Sequence, residues 1–224
     1  MRLQNKIILI TGGSGALGQV VVPAVVDAGA RVIVVDRHSP ATEAQGVRVM
    51  TADITNEADI RCLVEAIMEK VGRIDALINL VGGFAMGRLV ETDLSLWQRM
   101  LTMNLTAAFL LSKAVLPHML RQGTGRIVHV AARAAVEPFP GAAAYVVSKA
   151  GLAALIRALA LELAGSGVTV NGLLPTTIDT PANRKSMPDA DPSKWVNPSS
   201  IADLLSFLVS DEASQTNGAL IPLG

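Results

Sequence analysis

The sequence is poor in cysteine, in aromatic residues and in net charge. Its one cysteine, Cys62, cannot form a disulfide within the chain, and we expect it to be a small buried residue of a helix. Aromatic residues make up 3% of the 224 residues, and 19 basic residues balance 19 acidic ones. A nucleic-acid-binding protein usually carries a basic patch and aromatic stacking platforms, so the composition predicts no nucleic-acid partner.

Charge is also missing from residues 7–26, which raises the question of a membrane segment. This stretch contains four glycines and Pro23, and its first apolar run ends at Thr11, short of the ~7–15-residue core of a signal peptide. We interpret it as a buried strand, a turn and a helix. We therefore expect a cytoplasmic protein with no membrane partner.

Apolar runs of strand length alternate with longer helical patterns along the whole chain. This alternation predicts an α/β fold with a parallel sheet, as a single domain over residues 1–224. The predicted strands are 6–11, 31–36, 47–50, 74–79, 126–130, 168–172 and 219–222. The predicted helices are 16–28, 57–71, 94–120, 143–164 and 199–210. Residues 175–198 show no periodicity, and loops of that length are usually functional.

A glycine-rich turn follows the first predicted strand, where residues 11–18 have the sequence TGGSGALG. Glycines allow the backbone to approach a pyrophosphate closely, and the free N–H groups at the start of the next helix bind its charge. The turn therefore predicts a dinucleotide site. Its members are Gly12, Ser14, Gly15, Ala16, Leu17 and Gly18.

Acidic and amide residues follow the next three predicted strands. Asp36 would accept hydrogen bonds from an adenosine ribose and repel a 2′-phosphate, which favours NAD over NADP. Arg37 is a counterargument, because a guanidinium binds phosphate well. Further cofactor-site candidates lie at the carboxyl ends of the third and fourth strands, where an open sheet binds its ligand. They are Asp53, Ile54, Asn79 and Gly82.

Tyr145, the only tyrosine, and Lys149 are four residues apart on a predicted helix, so the phenol and the ammonium share one face. A nearby positive charge lowers the pKa of a phenol, which suits a general acid that also acts as a base. The pair predicts an acid/base site. The alternative is a core tyrosine with a satisfied hydroxyl.

Together these motifs resemble the short-chain dehydrogenase/reductase family over essentially the whole chain. The matching residues follow the family's order: TGGSGALG, Asp36, Asp53-Ile54, Asn79-x-x-Gly82, Asn104, Tyr145-x-x-x-Lys149 and Asn171…Pro175…Thr180. The resemblance implies a Rossmann-type doubly wound parallel sheet of about seven strands, flanked by helices. It also implies an NAD(P)-dependent oxidoreductase with a small-molecule substrate, assembled as a homodimer or homotetramer through its long helices.

The resemblance further implies roles for single residues. Tyr145 would be the general acid/base, Lys149 would bind the nicotinamide ribose and lower the pKa of that phenol, and Asn104 would hold a water molecule of a proton relay. Three residues after the sixth strand would complete the cofactor site: Pro175, Ile178 through its backbone, and Thr180.

Two positions depart from the family's pattern. Ala16 stands where the turn usually has glycine, the third glycine here being Gly15. Ala132 stands thirteen positions before Tyr145, where the family has its catalytic serine. Losing a donor aimed at a reacting oxygen typically lowers the rate by about 10²–10³. Either the substrate does not need this donor, or another group replaces it.

A closer resemblance bears on the missing serine. Residues 81–85 (VGGFA) and 174–188 (LPTTIDTPANRKSMP) resemble the quinonoid dihydropteridine reductases, whose serine position is also alanine. Their imine-like substrate builds up no charge on a carbonyl oxygen, which would explain Ala132. This resemblance implies a substrate loop over about 176–197 and a pocket of Ala132, Arg133 and Tyr145. Asn104 departs from it, because those reductases lack this residue.

Two alternatives stay open. One is a carbonyl reductase or alcohol dehydrogenase, such as a 3-oxoacyl thioester reductase, in which another group replaces the serine. The other is a cofactor-binding protein that has lost catalysis, although the retained Tyr145 and Lys149 argue against it. Metal catalysis is not expected, because His38, His118 and His129 are scattered along the chain.

Overall fold

A seven-stranded parallel sheet forms the centre of the fold in the computed structural model, which describes residues 1–37 and 45–224. The strand order is β3-β2-β1-β4-β5-β6-β7, and every pair is parallel. This confirms the predicted doubly wound α/β fold. The strands are β1 Ile7–Thr11, β2 Arg31–Asp36, β3 Val47–Thr51, β4 Ala76–Asn79, β5 Gly125–Val130, β6 Val168–Pro175 and β7 Leu220–Leu223.

Helices cover both faces of this sheet. The seven helices in the described part of the chain are α1 Gly18–Asp27, α2 Glu57–Val71, α3 Leu94–Leu101, α4 Ala107–Gln122, α5 Ala143–Glu162, α6 Pro181–Ser186 and α7 Pro198–Leu208. Helices α2, α4 and α5 contribute to the core on one face, and α1 and α7 to the core on the other. Neighbouring strand residues alternate between the faces: Ile8 joins the second core and Leu9 the first. Apolar runs such as IILI are therefore buried on both sides.

The helix predicted over 94–120 is two helices in the structure. A π-helical turn, Thr102–Thr106, joins α3 to α4 and contains the buried Asn104. Single π turns inside helices often lie at functional sites. Leu94–Gln122 and α5 are long and apolar enough to cross a membrane by length and composition alone. Core helices of a sheet protein pass the same test, and both contribute side chains to the first core.

The segment 175–198, which shows no periodicity in the sequence, contains regular structure. Strand β6 runs to Pro175, and α6 begins after Thr180, whose side chain accepts a hydrogen bond from Asn183 N. Ile178 and Val196 form an isolated parallel bridge that closes the segment on itself. A helix of six residues is too short to produce a periodic pattern, so the sequence prediction missed it.

The prediction for Cys62 was wrong. It lies on α2 as expected, but it is exposed. Cys62 does not belong to the buried face of α2. That face is formed by four residues at helical spacing: Ile60, Leu63, Val64 and Ile67.

Replacing Gly167 by alanine should lower the free energy of unfolding more than replacing Gly165. Both residues lie between α5 and β6 with left-handed φ values of +82° and +80°, so both variants share the ~1–2 kcal/mol penalty of that backbone region. Only at Gly167 would the new Cβ overlap the carbonyl oxygen of Gly123. Urea denaturation of the two variants measures the difference. Equal losses would contradict the structure.

Candidate active site

A cleft of about 630 Å³ opens at the carboxyl ends of the strands. It is lined by the glycine-rich turn through Leu17, by the segments after β4, β5 and β6, and by α5 through Tyr145 and Lys149. Seven residues predicted from the sequence line it: Leu17, Ala132, Arg133, Tyr145, Lys149, Pro175 and Ile178. The sheet order explains this gathering, because the carboxyl ends of parallel strands meet at one edge.

The glycine-rich turn lies between β1 and α1, as predicted. Gly12 has a left-handed φ of +75°, and a Cβ on Gly18 would overlap Gly13 O, so the turn is closed tightly. Ser14 N donates a hydrogen bond to Asp36 Oδ2 at 2.8 Å. The Ser14 hydroxyl is buried and has no hydrogen-bond partner within the described residues. An unsatisfied buried hydroxyl in such a turn fits a dinucleotide bound there.

Arg37 lies beside a carboxylate at the protein surface. Its Nη2 lies 3.5 Å from Asp53 Oδ1, and the same oxygen accepts hydrogen bonds from the amide and hydroxyl of Thr55. The pKa of Asp53 is lowered mainly by the hydrogen bond from the Thr55 hydroxyl and to a smaller extent by the charge of Arg37. Ile54, predicted beside Asp53, is buried in the first core.

Asn79 belongs to a buried hydrogen-bond chain across the strand ends. Thr11 Oγ1 donates to Asn79 Oδ1 at 2.7 Å, and Asn79 Nδ2 lies 3.3 Å from His129 Nδ1. His129 Nε2 lies 3.0 Å from Ser112 Oγ, which itself donates to Ala108 O. The Ser112 hydroxyl therefore accepts from His129, whose proton sits on Nε2.

Burial lowers the pKa of His129 to about 3, with a further contribution from the charge of Lys149. A neutral imidazole fixed in this network is structural. His118 lies on α4 beside Arg121 at 2.8 Å, and its pKa is lowered by burial and by that guanidinium. His38 lies outside the described residues.

Tyr145 and Lys149 lie one turn apart on α5. Lys149 Nζ donates to Val130 O at 2.9 Å, at the end of β5, and burial lowers its pKa to about 8. We expected Lys149 to lower the pKa of Tyr145. In the structure, burial of the phenol instead raises that pKa to about 12. The phenol therefore carries the proton that a general acid needs at neutral pH, and its raised pKa makes it a weaker acid than a free tyrosine.

Asn104 is locked in place by neighbouring groups. Its Oδ1 accepts from Gly83 N at 2.8 Å, and its Nδ2 donates to Gly83 O at 3.0 Å and to Ser148 Oγ at 2.9 Å. Both N–H groups are thus used, and a relay water would have to donate to Asn104. A Cβ on Gly82 would lie 3.0 Å from Lys149 Nζ and 3.1 Å from Asn104 Oδ1. A side chain at this position would therefore crowd both groups.

The sequence prediction overlooked two residues of this site. Ser148 accepts from Asn104 and donates to Tyr145 O at 2.7 Å, and its place just before Lys149 was the available signal. Phe84 lines the cleft and meets the Tyr145 ring edge-on, with ring centroids 4.9 Å apart and an interplanar angle of 86°. No local pattern predicts such a contact, since the two residues are 61 positions apart.

The segment after β6 is fixed by hydrogen bonds of its own. Asn183 Nδ2 donates to Ile178 O at 2.8 Å, and Thr180 is buried, with its hydroxyl capping α6. Arg184 forms a two-point ion pair with Asp179 at 2.6 and 2.8 Å. The segment therefore covers the cleft in a defined conformation.

The family model of the short-chain dehydrogenases matches residues 6–191, and the chain belongs to this family. It is 32% identical to the 3-oxoacyl-[acyl-carrier-protein] reductase of Thermotoga maritima, over 99% of this chain and 97% of that enzyme. It is 30% identical to a 2-(R)-hydroxypropyl-CoM dehydrogenase of Xanthobacter autotrophicus, over 97% and 96%. A solved 3-ketoacyl-(acyl-carrier-protein) reductase of Brucella melitensis, complexed with NADH, superposes with a TM-score of 0.88 at 28% identity, over 98% of this chain and 97% of that one. The protein is an NAD(P)-dependent oxidoreductase.

Because Tyr145 is the only tyrosine, its phenol can be followed by nuclear magnetic resonance in a pH titration without resonance assignment. In the cofactor-free protein, we expect the carbon-13 resonance of labelled tyrosine Cζ to remain that of a protonated phenol to well above pH 10, because burial raises its pKa to about 12. The Tyr145→Phe variant, which lacks the resonance, is the control. Ionisation below pH 10 would show that Lys149 outweighs burial.

Proposed function

We propose that this protein is an NADH-dependent reductase of a flat, imine-like substrate, with quinonoid dihydropterin as the test compound. The observation that carries the proposal is that a half-buried, protonated Tyr145 shares the cleft with Ala132, a side chain without the hydroxyl that the family has at this position. The reaction then needs a proton donor but no second donor for an oxyanion.

The cofactor would be held by three groups of residues. The turn of Gly12, Ser14, Gly15, Ala16, Leu17 and Gly18 would bind the pyrophosphate. Asp36 and Arg37, with Asp53 and Ile54, would surround the adenosine. The nicotinamide end would meet Asn79, Gly82, Lys149, Pro175, Ile178 and Thr180. When bound, the cofactor supplies the hydride.

Preference for NADH rests on two carboxylates. Asp36 keeps one oxygen for a ribose diol while Ser14 N occupies the other, and its charge would repel a 2′-phosphate. Arg37, which would otherwise attract that phosphate, lies against Asp53.

Tyr145 would donate the proton that the reduced substrate takes up. Lys149 would place its ammonium beside the phenol and the nicotinamide ribose, and Asn104 would hold the adjoining water. A phenol with a raised pKa is fully protonated at neutral pH, so the reductive direction starts from the right protonation state.

The rings near Tyr145 favour a flat substrate. Phe84 stands edge-on to Tyr145, and Phe139 lies 6.5 Å from Phe84, both on the cleft wall. Aromatic side chains hold flat rings by stacked or edge-on contacts.

The chains would associate through α4 and α5. Both helices expose large apolar side chains, a feature typical of interfaces. They include Phe109 and Leu120 on α4, and Val147 and Leu161 on α5. A homodimer or homotetramer would cover them.

NADH should bind more tightly than NADPH, and Asp36→Ala should remove this preference. The loss of a charged acceptor for the ribose should weaken NADH binding about tenfold or more, while NADPH is relieved of repulsion. Fluorescence titration of both nucleotides measures the two affinities. Equal or tighter NADPH binding by the unmodified protein would overturn the proposal and direct attention to Arg37.

Ala132→Ser should leave reduction of quinonoid dihydropterin unchanged or slower, because no oxyanion forms for the new hydroxyl to stabilise. Steady-state rates with NADH test this, and Tyr145→Phe, which should bind NADH without turnover, is the control for chemistry. A roughly tenfold or larger gain in reduction of an acetoacetyl thioester, with no pterin turnover in either protein, would instead establish a carbonyl reductase.

A further inference from the structure

Arg133 and Glu137 form an ion pair on the cleft wall next to Ala132. Arg133 Nη1 donates to Glu137 Oε1 at 2.9 Å, across the 3-10 turn Arg133–Ala135. Arg133 Nη2 donates to Gly224 O at 2.7 Å, directly after β7. The guanidinium is therefore fixed at two points, and its plane is set by the fold rather than by solvent.

Both partners keep hydrogen-bonding capacity. A guanidinium has five N–H groups, of which two are used here, and Arg133 Nε is buried without a partner in the described part of the chain. Glu137 has a second carboxylate oxygen and is more exposed than Arg133, with 65% against 27% of the side chain accessible. The pair thus presents donors and an acceptor side by side.

The charges of the pair cancel, which decides the kind of ligand. An anionic substrate would find the guanidinium already neutralised by Glu137. The other cation on the wall, Lys149, is turned to Val130 O. A neutral group that carries a carbonyl next to an N–H matches the pair better, because it can accept from Arg133 and donate to Glu137.

We propose that Arg133 and Glu137 are the specificity-determining pair of this enzyme, and that they bind the cyclic amide edge of a flat heterocycle whose ring lies against Phe84. This inference rests on the proposed function, since it assigns the polar edge of the same substrate. The pair orients the ring so that its reducible bond faces Tyr145.

The test measures binding to the NADH-loaded protein with two flat bicyclic probes that do not react. The probe 6,7-dimethylpterin has the amide edge, and 2,3-dimethylquinoxaline, with its methyl groups at the matching positions of the pyrazine ring, lacks it. We expect the unmodified protein to bind the pterin roughly tenfold or more tightly than the quinoxaline, the gain of one charge-assisted hydrogen bond.

Arg133→Gln and Glu137→Gln should each bring the ratio of the two affinities close to one, with little change for the quinoxaline. The double variant should lose no more than the larger single loss, because the two groups act on one edge. Arg2→Gln, which breaks the exposed ion pair of Arg2 with Glu212 away from the cleft lining, is the matched control and should keep the ratio.

Equal affinity of the unmodified protein for the two probes would overturn the inference. An equal loss of affinity for both probes in Arg133→Gln would also overturn it, because Arg133 would then only hold the cleft wall in place through its hydrogen bond to Gly224. If Arg133→Gln fails to fold, the more exposed Glu137→Gln decides. Selective probe binding without turnover of quinonoid dihydropterin would reject the proposed function and leave the assignment of the pair intact.

Discussion

The buried hydrogen bonds that join Thr11, Asn79, His129 and Ser112 hold the carboxyl ends of β1, β4 and β5 together. Inside a protein, each of these polar groups needs a hydrogen-bond partner. His129 can accept from Asn79 and donate to Ser112 only if its imidazole is neutral. Burial keeps it so, by lowering its pKa to about 3. The glycine-rich turn and the segments after β4 and β5 begin at this edge, so the geometry of the cleft depends on it.

Burial also decides the chemistry at the other side of the cleft. The same loss of water that raises the pKa of Tyr145 lowers the pKa of Lys149, since each group disfavours its charged form away from solvent. The fold compensates Lys149 with the carbonyl of Val130 and places the protonated hydroxyl of Tyr145 on the cleft wall. Ala132, on the wall of the same cleft, adds no hydroxyl to this pair.

The strands and most helices could be predicted to within one to three residues, because apolar runs and helical periodicity are local signals. The π-helical turn at Asn104 could not, since it alters the hydrogen bonding but not the apolar pattern. The short α6 and the exposure of Cys62 were missed for related reasons. A helix of fewer than two turns has no measurable period, and an apolar residue beside a buried stripe looks like part of it.

The sequence by itself determined the alternation of strands and helices, the turn at Gly12, the spacing of Tyr145 and Lys149 and the absence of a hydroxyl at Ala132. These are properties of neighbouring residues along the chain. Only the tertiary structure decided that Phe84 meets Tyr145, that Arg133 ties Glu137 to Gly224, and that the pKa of the phenol rises. Each of these depends on which distant segments of the chain cover a group and exclude water from it. That is fixed only when the strands have assembled in their final order.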